Sequence, residues 1–264
     1  MKILLSNLLA IYRRELQSYF SSPLAYVIAT VFWLISGVFM VTLLLSSGGV
    51  IAQSAALDQS GIGQDFDAPY EFLKYYLNLL GSISMFVLPM LSMGLYAEER
   101  KQGTLELLAT SPVTNWVVAI GKLLGVATFY SAMLLPLLIT QAVAFTRSEP
   151  AFPIGLLLLG YGGLLLLATS VLSLGMFISS LSESTVLAAI MTFALVLLLW
   201  IVEAIANTTG SVGNVLSHLS LLEPYTDFTQ GVFNTSGLIL FLSYIVLGIF
   251  LTAQSIDTLR FQRS

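Results

Sequence analysis

The stretch that decides the fold is residues 153–180, PIGLLLLGYGGLLLLATSVLSLGMFISS, which contains no charged side chain. A helix needs about 20 apolar residues to cross the hydrocarbon core of a bilayer, and this stretch is longer than that. It also lacks the alternation of apolar and polar residues that lipid-facing barrel strands show. The sequence therefore predicts a transmembrane helix at this position.

The composition of the whole chain agrees with a lipid environment. Of its 264 residues, 57% are hydrophobic and only 9% are charged, whereas soluble domains carry about 25% charged residues. Mean hydropathy is +0.92. These values exclude soluble enzymes and disordered linkers. The net charge of −4 gives no basic field for nucleic acid, and without cysteine the chain has neither disulfides nor thiolate sites.

Six stretches are long and apolar enough to span a bilayer, and we expect an all-α integral membrane protein with six transmembrane helices. The predicted spans are residues 24–45, 75–97, 116–145, 153–180, 185–206 and 238–255. With both termini in the cytoplasm, eight of the ten Lys and Arg residues lie inside, and only Lys74 and Arg147 lie outside. Because basic residues are retained on the cytoplasmic side, this distribution predicts an N-in, C-in topology.

The N-terminal stretch, residues 1–22, is amphipathic when it is drawn as a helix. Its leucines and tyrosines fall on one half and its basic residues on the other, and Glu15 is the one charge out of place. This pattern predicts a helix that lies along the cytoplasmic interface, although a soluble tail could share it. The candidate interfacial residues are Leu8, Tyr12, Arg13 and Arg14.

Several kinds of chemistry are missing from the sequence. No phosphate-binding G-x-x-x-x-G-K-[ST] motif is present, and the single histidine, His218, cannot form a metal-binding pair. We therefore expect no catalytic residue, no metal and no cofactor in this chain. The candidate pathway residues are Asn78, Ser82, Thr192 and Glu203. Single polar residues in long spans also bond commonly to their own backbone, so both interpretations stand.

The loop between the second and third spans, residues 98–112, reads EERKQGTLELLATSP. Thr104 can cap a short helix that Pro112 ends, and Glu106 would lie in its first turn. Leu105 and Leu108 are three residues apart and share one face. This helix either joins two spans or docks its leucines into a groove on a cytoplasmic partner.

This loop, together with Gly121-Lys122, resembles the signature of ABC-2 type transporter permeases. The start of the chain, Arg14-Glu15-Leu16, Tyr19-Phe20 and Ser22-Pro23, resembles their gliding-motility and nitrous-oxide-reductase-maturation branch. The resemblance implies one ABC-2 transmembrane domain over residues 1–264, with a coupling helix at 104–111 and outer re-entrant segments within 207–237. It implies the ATPase-coupling residues Glu98, Glu99, Arg100, Gly103, Thr104, Leu105, Glu106 and Leu108.

The same resemblance implies the partners and the location of the protein. Two permeases, as a homodimer or a paralogous heterodimer, would join two cytoplasmic ATP-binding subunits that hold ATP-Mg. An auxiliary periplasmic or membrane subunit is a further expected partner, and the expected location is the inner membrane of a bacterium. The expected function is the permease subunit of an exporter. The alternative is a scaffold that assembles a gliding-motility-type complex without transporting anything.

Overall fold

The computed structural model describes residues 2–59, 66–104, 114–146, 148, 152–206 and 220–261, apart from the side chains of 2, 3, 202–206 and 259–261. Within these ranges the regular structure is entirely helical, as predicted from the long apolar runs. The helices are α1 Lys2–Ser21, α2 Pro23–Leu45, α3 Val50–Gln59, α4 Ala68–Ser92, α5 Gly94–Lys101, α6 Asn115–Phe145, α7 Ile154–Leu181, α8 Thr185–Ala206, α9 Leu222–Thr229 and α10 Thr235–Phe261.

Five segments of the described chain are long and apolar enough to cross a membrane. They are Pro23–Gln59, Ala68–Lys101, Asn115–Phe145, Ile154–Leu181 and Thr235–Thr258. The remaining predicted span, the fifth along the chain at 185–206, corresponds to α8, but its side chains are described only over the shorter apolar stretch Thr185–Ile201. The chain is thus a multi-pass helical membrane protein, and a count of six spans stays a prediction.

Three helices differ from the expected bounds. Helix α4 begins at Ala68, seven residues before the predicted 75, because Asp67 caps it by accepting a hydrogen bond from the Tyr70 amide at 3.1 Å. Helix α10 extends beyond 238–255 at both ends. Helix α3 lies between the first two predicted spans, where hydropathy predicts no helix.

Helix α7, which contains the quoted stretch, is the centre of the bundle. It contacts α4, α5, α6, α8, α9 and α10. Its small residues allow these contacts to be close: a Cβ atom added to Gly175 would collide with Ser92 Oγ on α4. Gly175 therefore lets α4 lie close to α7.

A break separates α4 from α5 at Met93, four residues after Pro89. Ser179 of α7 satisfies the backbone groups that the break exposes. Its hydroxyl donates to the Met93 carbonyl at 2.7 Å and accepts from the amides of Tyr96 and Ala97, each at 3.0 Å. Helix α6, in contrast, continues through Pro136 without a break.

At the outer end predicted by the topology, α9 packs into the bundle instead of lying on its surface. Tyr225 and Phe228 are buried, and the Tyr225 hydroxyl donates to the Leu77 carbonyl on α4. Gly81 and Gly163 make room for these rings. Of the predicted re-entrant segment 207–237, residues 207–219 lie outside the described chain, and the remainder contains this helix.

Gly175→Leu should lower the free energy of unfolding by about 1–3 kcal/mol, because the new side chain would collide with Ser92 and Thr192 in a packed interface. The matched control is Gly162→Leu on the same helix, where nothing lies within 4 Å of an added Cβ. Thermal unfolding of the purified chain in detergent measures the difference. Equal melting temperatures for the two variants would contradict the close α4–α7 packing.

Candidate functional site

The N-terminal helix α1 packs closely against α6, and two glycines one helical turn apart allow this contact. A Cβ on Gly121 would lie 2.8 Å from Ile11 Cγ2, and one on Gly125 would lie 2.8 Å from Glu15 Cβ. Residues four apart share a helix face, so both glycines turn toward α1. Helix α1 is therefore part of the folded body.

Lys122 lies between these glycines and is nearly inaccessible, with 5% of its side chain exposed. Its Nζ atom is 3.3 Å from Glu15 Oε2 on α1 and 3.1 Å from Glu99 Oε1 on α5. It also donates to the Leu95 carbonyl at 2.6 Å and lies 4.9 Å from the centre of the Tyr96 ring. A buried ammonium needs this many partners, because each one replaces part of its lost hydration.

The arrangement joins three helices and extends to the surface. Glu99 Oε1 also lies 3.6 Å from Arg14 Nη2, and the Arg14 side chain is largely exposed. We call Arg14, Glu15, Glu99 and Lys122 the charge network. It ties α1, α5 and α6 together at the end of the bundle where α5 leads into the loop 98–112.

Burial raises the pKa of the Glu15 carboxyl above its usual value, the nearby Lys122 ammonium opposes this shift, and Glu99 reinforces it. One turn along α1, burial raises the pKa of the Tyr19 hydroxyl well above its usual value. This hydroxyl donates to the Leu91 carbonyl at 2.6 Å, and the ring stacks on Phe129 at 5.2 Å. Tyr19 thus serves as a neutral hydrogen-bond donor that holds α1 against α4.

The predicted coupling residues on α5 divide by environment. Glu98 is exposed, whereas Glu99 belongs to the charge network. Arg100 donates to the Ser180 carbonyl at 2.8 Å and lies 3.6 Å from Glu183 Oε1, so it joins α5 to the α7–α8 turn.

Beyond α5 the chain reverses at Gly103, whose φ of 71° favours glycine. The Thr104 hydroxyl then donates to the Glu99 carbonyl at 3.2 Å. The other predicted coupling residues, Leu105, Glu106 and Leu108, lie outside the described chain, as does most of the segment 104–111.

The predicted interfacial residues follow the expected division in part. Leu8 and Tyr12 are half-buried, and Arg13 and Arg14 are exposed. However, α1 turns Ile11, Leu16 and Tyr19 toward the protein core, while other leucines of the helix stay exposed. The apolar half of α1 is therefore shared between the bundle and its surroundings.

Three of the candidate pathway residues form hydrogen bonds within their own helices. Asn78 donates to the Lys74 carbonyl at 2.8 Å, Ser82 to Asn78 at 3.0 Å and Thr192 to Ala188 at 2.8 Å. Each of these bonds runs to the residue's own helix, four residues earlier. Asn78 also reaches Thr229 Oγ1 of α9 at 3.4 Å, and the Glu203 side chain is outside the described residues.

The residues that sequence reasoning missed are Lys122 and Glu15 as a pair, and Ser179 as a cap. Two signals were available: a lysine seven residues into an apolar helix, and a glutamate on the apolar half of α1. Of the two, only the glutamate was identified as out of place from the sequence. Among the described side chains, no group of three or more His, Asp or Glu residues could hold a metal ion.

Lys122→Met should destabilise the protein by about 3–5 kcal/mol, because Glu15 and Glu99 would remain buried without their main cation. Glu15→Gln combined with Lys122→Met should recover part of this loss. Lys101→Met, at an exposed lysine on the same side, is the matched control. Chemical or thermal unfolding in detergent measures all four proteins, and a Lys122→Met variant as stable as the parent would contradict the network.

Comparisons with known proteins agree with this architecture. The chain is 28% identical over 161 residues to the probable multidrug ABC transporter permease YbhR of Escherichia coli strain K12, and equally to the O157:H7 protein. The match covers 59% of this chain and 41% of each relative, so it spans less than half the length of those proteins. The sequence model described as "ABC-2 family transporter protein" matches residues 9–264. The chain therefore belongs to the ABC-2 family of transporter proteins.

Proposed function

We propose that this chain is the membrane-spanning subunit of an ABC exporter, and that separate cytoplasmic subunits bind and hydrolyse ATP-Mg to drive it. The observation that carries the proposal is the charge network. It fixes α5, the helix that leads directly into the predicted coupling segment 104–111, to two other helices through buried ion pairs.

The geometry supports mechanical coupling, because α5 is anchored on two sides. Lys122 joins it to α1 and α6, and Ser179 and Arg100 join it to α7. A displacement of the segment 104–111 would therefore be passed to several helices and would not be absorbed in a loose loop. Packed elements with fixed contacts move as units, which is what such a mechanism needs.

The proposed assembly has six spans in each chain, both termini in the cytoplasm and two permease copies in the inner membrane of a bacterium. The ABC permease family implies, in general, a dimeric arrangement and an ATP-binding partner. The same proposal includes a second permease, which is either an identical copy or a paralogue. It also includes an auxiliary subunit.

For the cargo we propose an amphipathic or lipid-linked molecule that moves outward. The spans are mainly apolar, and apolar side chains are widely exposed on α2, α8 and α10. The matched Escherichia coli relative is named as a probable multidrug permease, which fits a cargo of this kind.

The scaffold alternative is favoured by one observation. The residues that resemble the gliding-motility branch include Glu15, Tyr19 and Ser22, and these lie at the junction of α1 with α4 and α6.

ATP hydrolysis by the reconstituted complex distinguishes transport from a scaffold function. ATP hydrolysis stimulated by an amphipathic cargo would support transport, and hydrolysis indifferent to any cargo would favour the scaffold.

Leu105→Asp combined with Leu108→Asp should abolish co-purification with the ATP-binding subunit, because two charges would enter an apolar docking groove. Thr110→Asp, about 140° around the predicted helix from Leu105, is the matched control and should bind as the parent does. Pull-down from detergent extracts is the measurement, with size-exclusion profiles to show that each permease is folded. Association that survives the double substitution would refute the docking role of 104–111.

The absence of cysteine allows a direct test of the topology. Asp58→Cys should react with a membrane-impermeant maleimide in intact spheroplasts, whereas Lys101→Cys should react only after permeabilisation. Both positions are exposed, so accessibility within the protein does not limit the reaction. The reversed labelling pattern would overturn the N-in, C-in assignment.

A further inference from the structure

A cleft of about 200 Å³ lies beside the charge network, between α1, the start of α2 and the α4–α5 break. At about 30 Å³ for each water molecule in the liquid, it has room for a small molecular head group. One part of its lining is polar and the other part is apolar. The polar lining includes Arg14, Glu15, Ser18, Glu98, Glu99 and Lys122, and the apolar lining includes Leu24, Ala25, Ile28, Met90 and Leu91.

The polar part of the cleft has more carboxylates than cations. Three glutamates face two basic residues, and Lys122 is already shared between Glu15 and Glu99. Glu99 uses Oε1 for both of its ion pairs, while its buried Oε2 has no hydrogen-bond partner among the described residues. Glu98 is exposed at the cleft and forms no ion pair within the described chain. A positively charged ligand would satisfy this excess.

The apolar part of the cleft belongs to membrane-spanning helices. Leu24 and Ile28 lie at the start of α2, and Met90 lies near the end of α4. Leu24 and Met90 are 46% and 44% exposed, so this side of the cleft can be reached laterally from the bilayer. An aliphatic chain could therefore lie along α2 and α4 while its head group enters the polar part.

We propose that this cleft binds the head group of an alkylammonium amphiphile, with the carboxylates of Glu98 and Glu99 as its counter-charges. The ammonium can come from a membrane lipid such as phosphatidylethanolamine or from a foreign cationic amphiphile, since the recognising chemistry is the same. A protein segment suits the cleft less well, because the apolar lining of the cleft lies on the spans α2 and α4 and not on the loop 98–112. The proposal concerns binding alone and does not require the ligand to be the transported cargo.

Photolabelling of the full chain in phosphatidylglycerol nanodiscs tests the proposal. The probe is a long-chain alkylamine with a diazirine in its chain, and the matching uncharged alcohol is its control. We expect the amine to label residues 24–28 and 90–94 at least fivefold more than the alcohol does. Dodecylamine should compete with the probe, and dodecanol should not.

Two variants connect the labelling to the cleft. Glu98→Gln removes a free carboxylate without touching the Lys122 contacts, and Ser18→Trp adds bulk at an exposed position of the lining. Each should reduce labelling severalfold. Glu183→Gln, on the same side but outside the cleft, should leave it unchanged, since the Glu183 side chain is largely exposed and does not line the cleft.

The remaining arms identify the source of the ligand or overturn the site. If replacing a third of the phosphatidylglycerol with phosphatidylethanolamine suppresses labelling, the resident ligand is a membrane lipid. If suppression needs added dodecylamine, the site takes foreign amphiphiles. Equal labelling by amine and alcohol, or labelling unaffected by both variants, overturns the proposal. A third result would also overturn the proposal: the amine labels nothing, and Glu98→Gln weakens association with the ATP-binding subunit. That result would assign the cleft to the protein partner.

Discussion

The burial of one lysine determines how the end of the bundle that contains α1 and α5 is built. Transfer of an ammonium out of water costs several kcal/mol, so a buried lysine side chain needs acceptors around it. Two carboxylates, a backbone carbonyl and an aromatic ring surround Lys122, and they come from α1 and α5. These helices cannot separate from α6 without leaving uncompensated charge. The N-terminal helix, which hydropathy alone would place on the membrane surface, is thereby fixed to the spans.

Close packing of small residues provides the second constraint, and it operates around α7. In a bilayer the lipid tails are as apolar as leucine, so helices associate through close contact and hydrogen bonds more than through the hydrophobic effect. Gly175 lets α4 approach α7, and Gly248 lets α10 approach Ser173. Ser179 uses the same proximity to cap the α4–α5 break. The break between α4 and α5 is therefore stabilised by hydrogen bonds from α7 to its backbone groups.

Hydropathy predicted the helical class and the location of α7 to within one residue at each end, because the bilayer thickness sets the length of an apolar run. It gave no sign of α3, whose sequence VIAQSAALDQ carries only a weak apolar pattern. Glu15 and Lys122 are 107 residues apart, and their pairing depends on how α1 docks. Sequence periodicity describes single helices, so it marked Glu15 as the one charge out of place on α1 but could not show that Lys122 is its partner.

The same contacts define how force would pass through the bundle under the proposed coupling. The second span is not one rigid lever, since it is interrupted at Met93. After that break, α5 is held by the charge network on one side and by Ser179 and Arg100 on the other. A push that enters at Gln102 would therefore be passed sideways to α6 and α7 as well as along the chain to α4. Lys122 lies at the buried end of that sideways path and Arg14 at its exposed edge, so salt screens the ion pairs least at the Lys122 end.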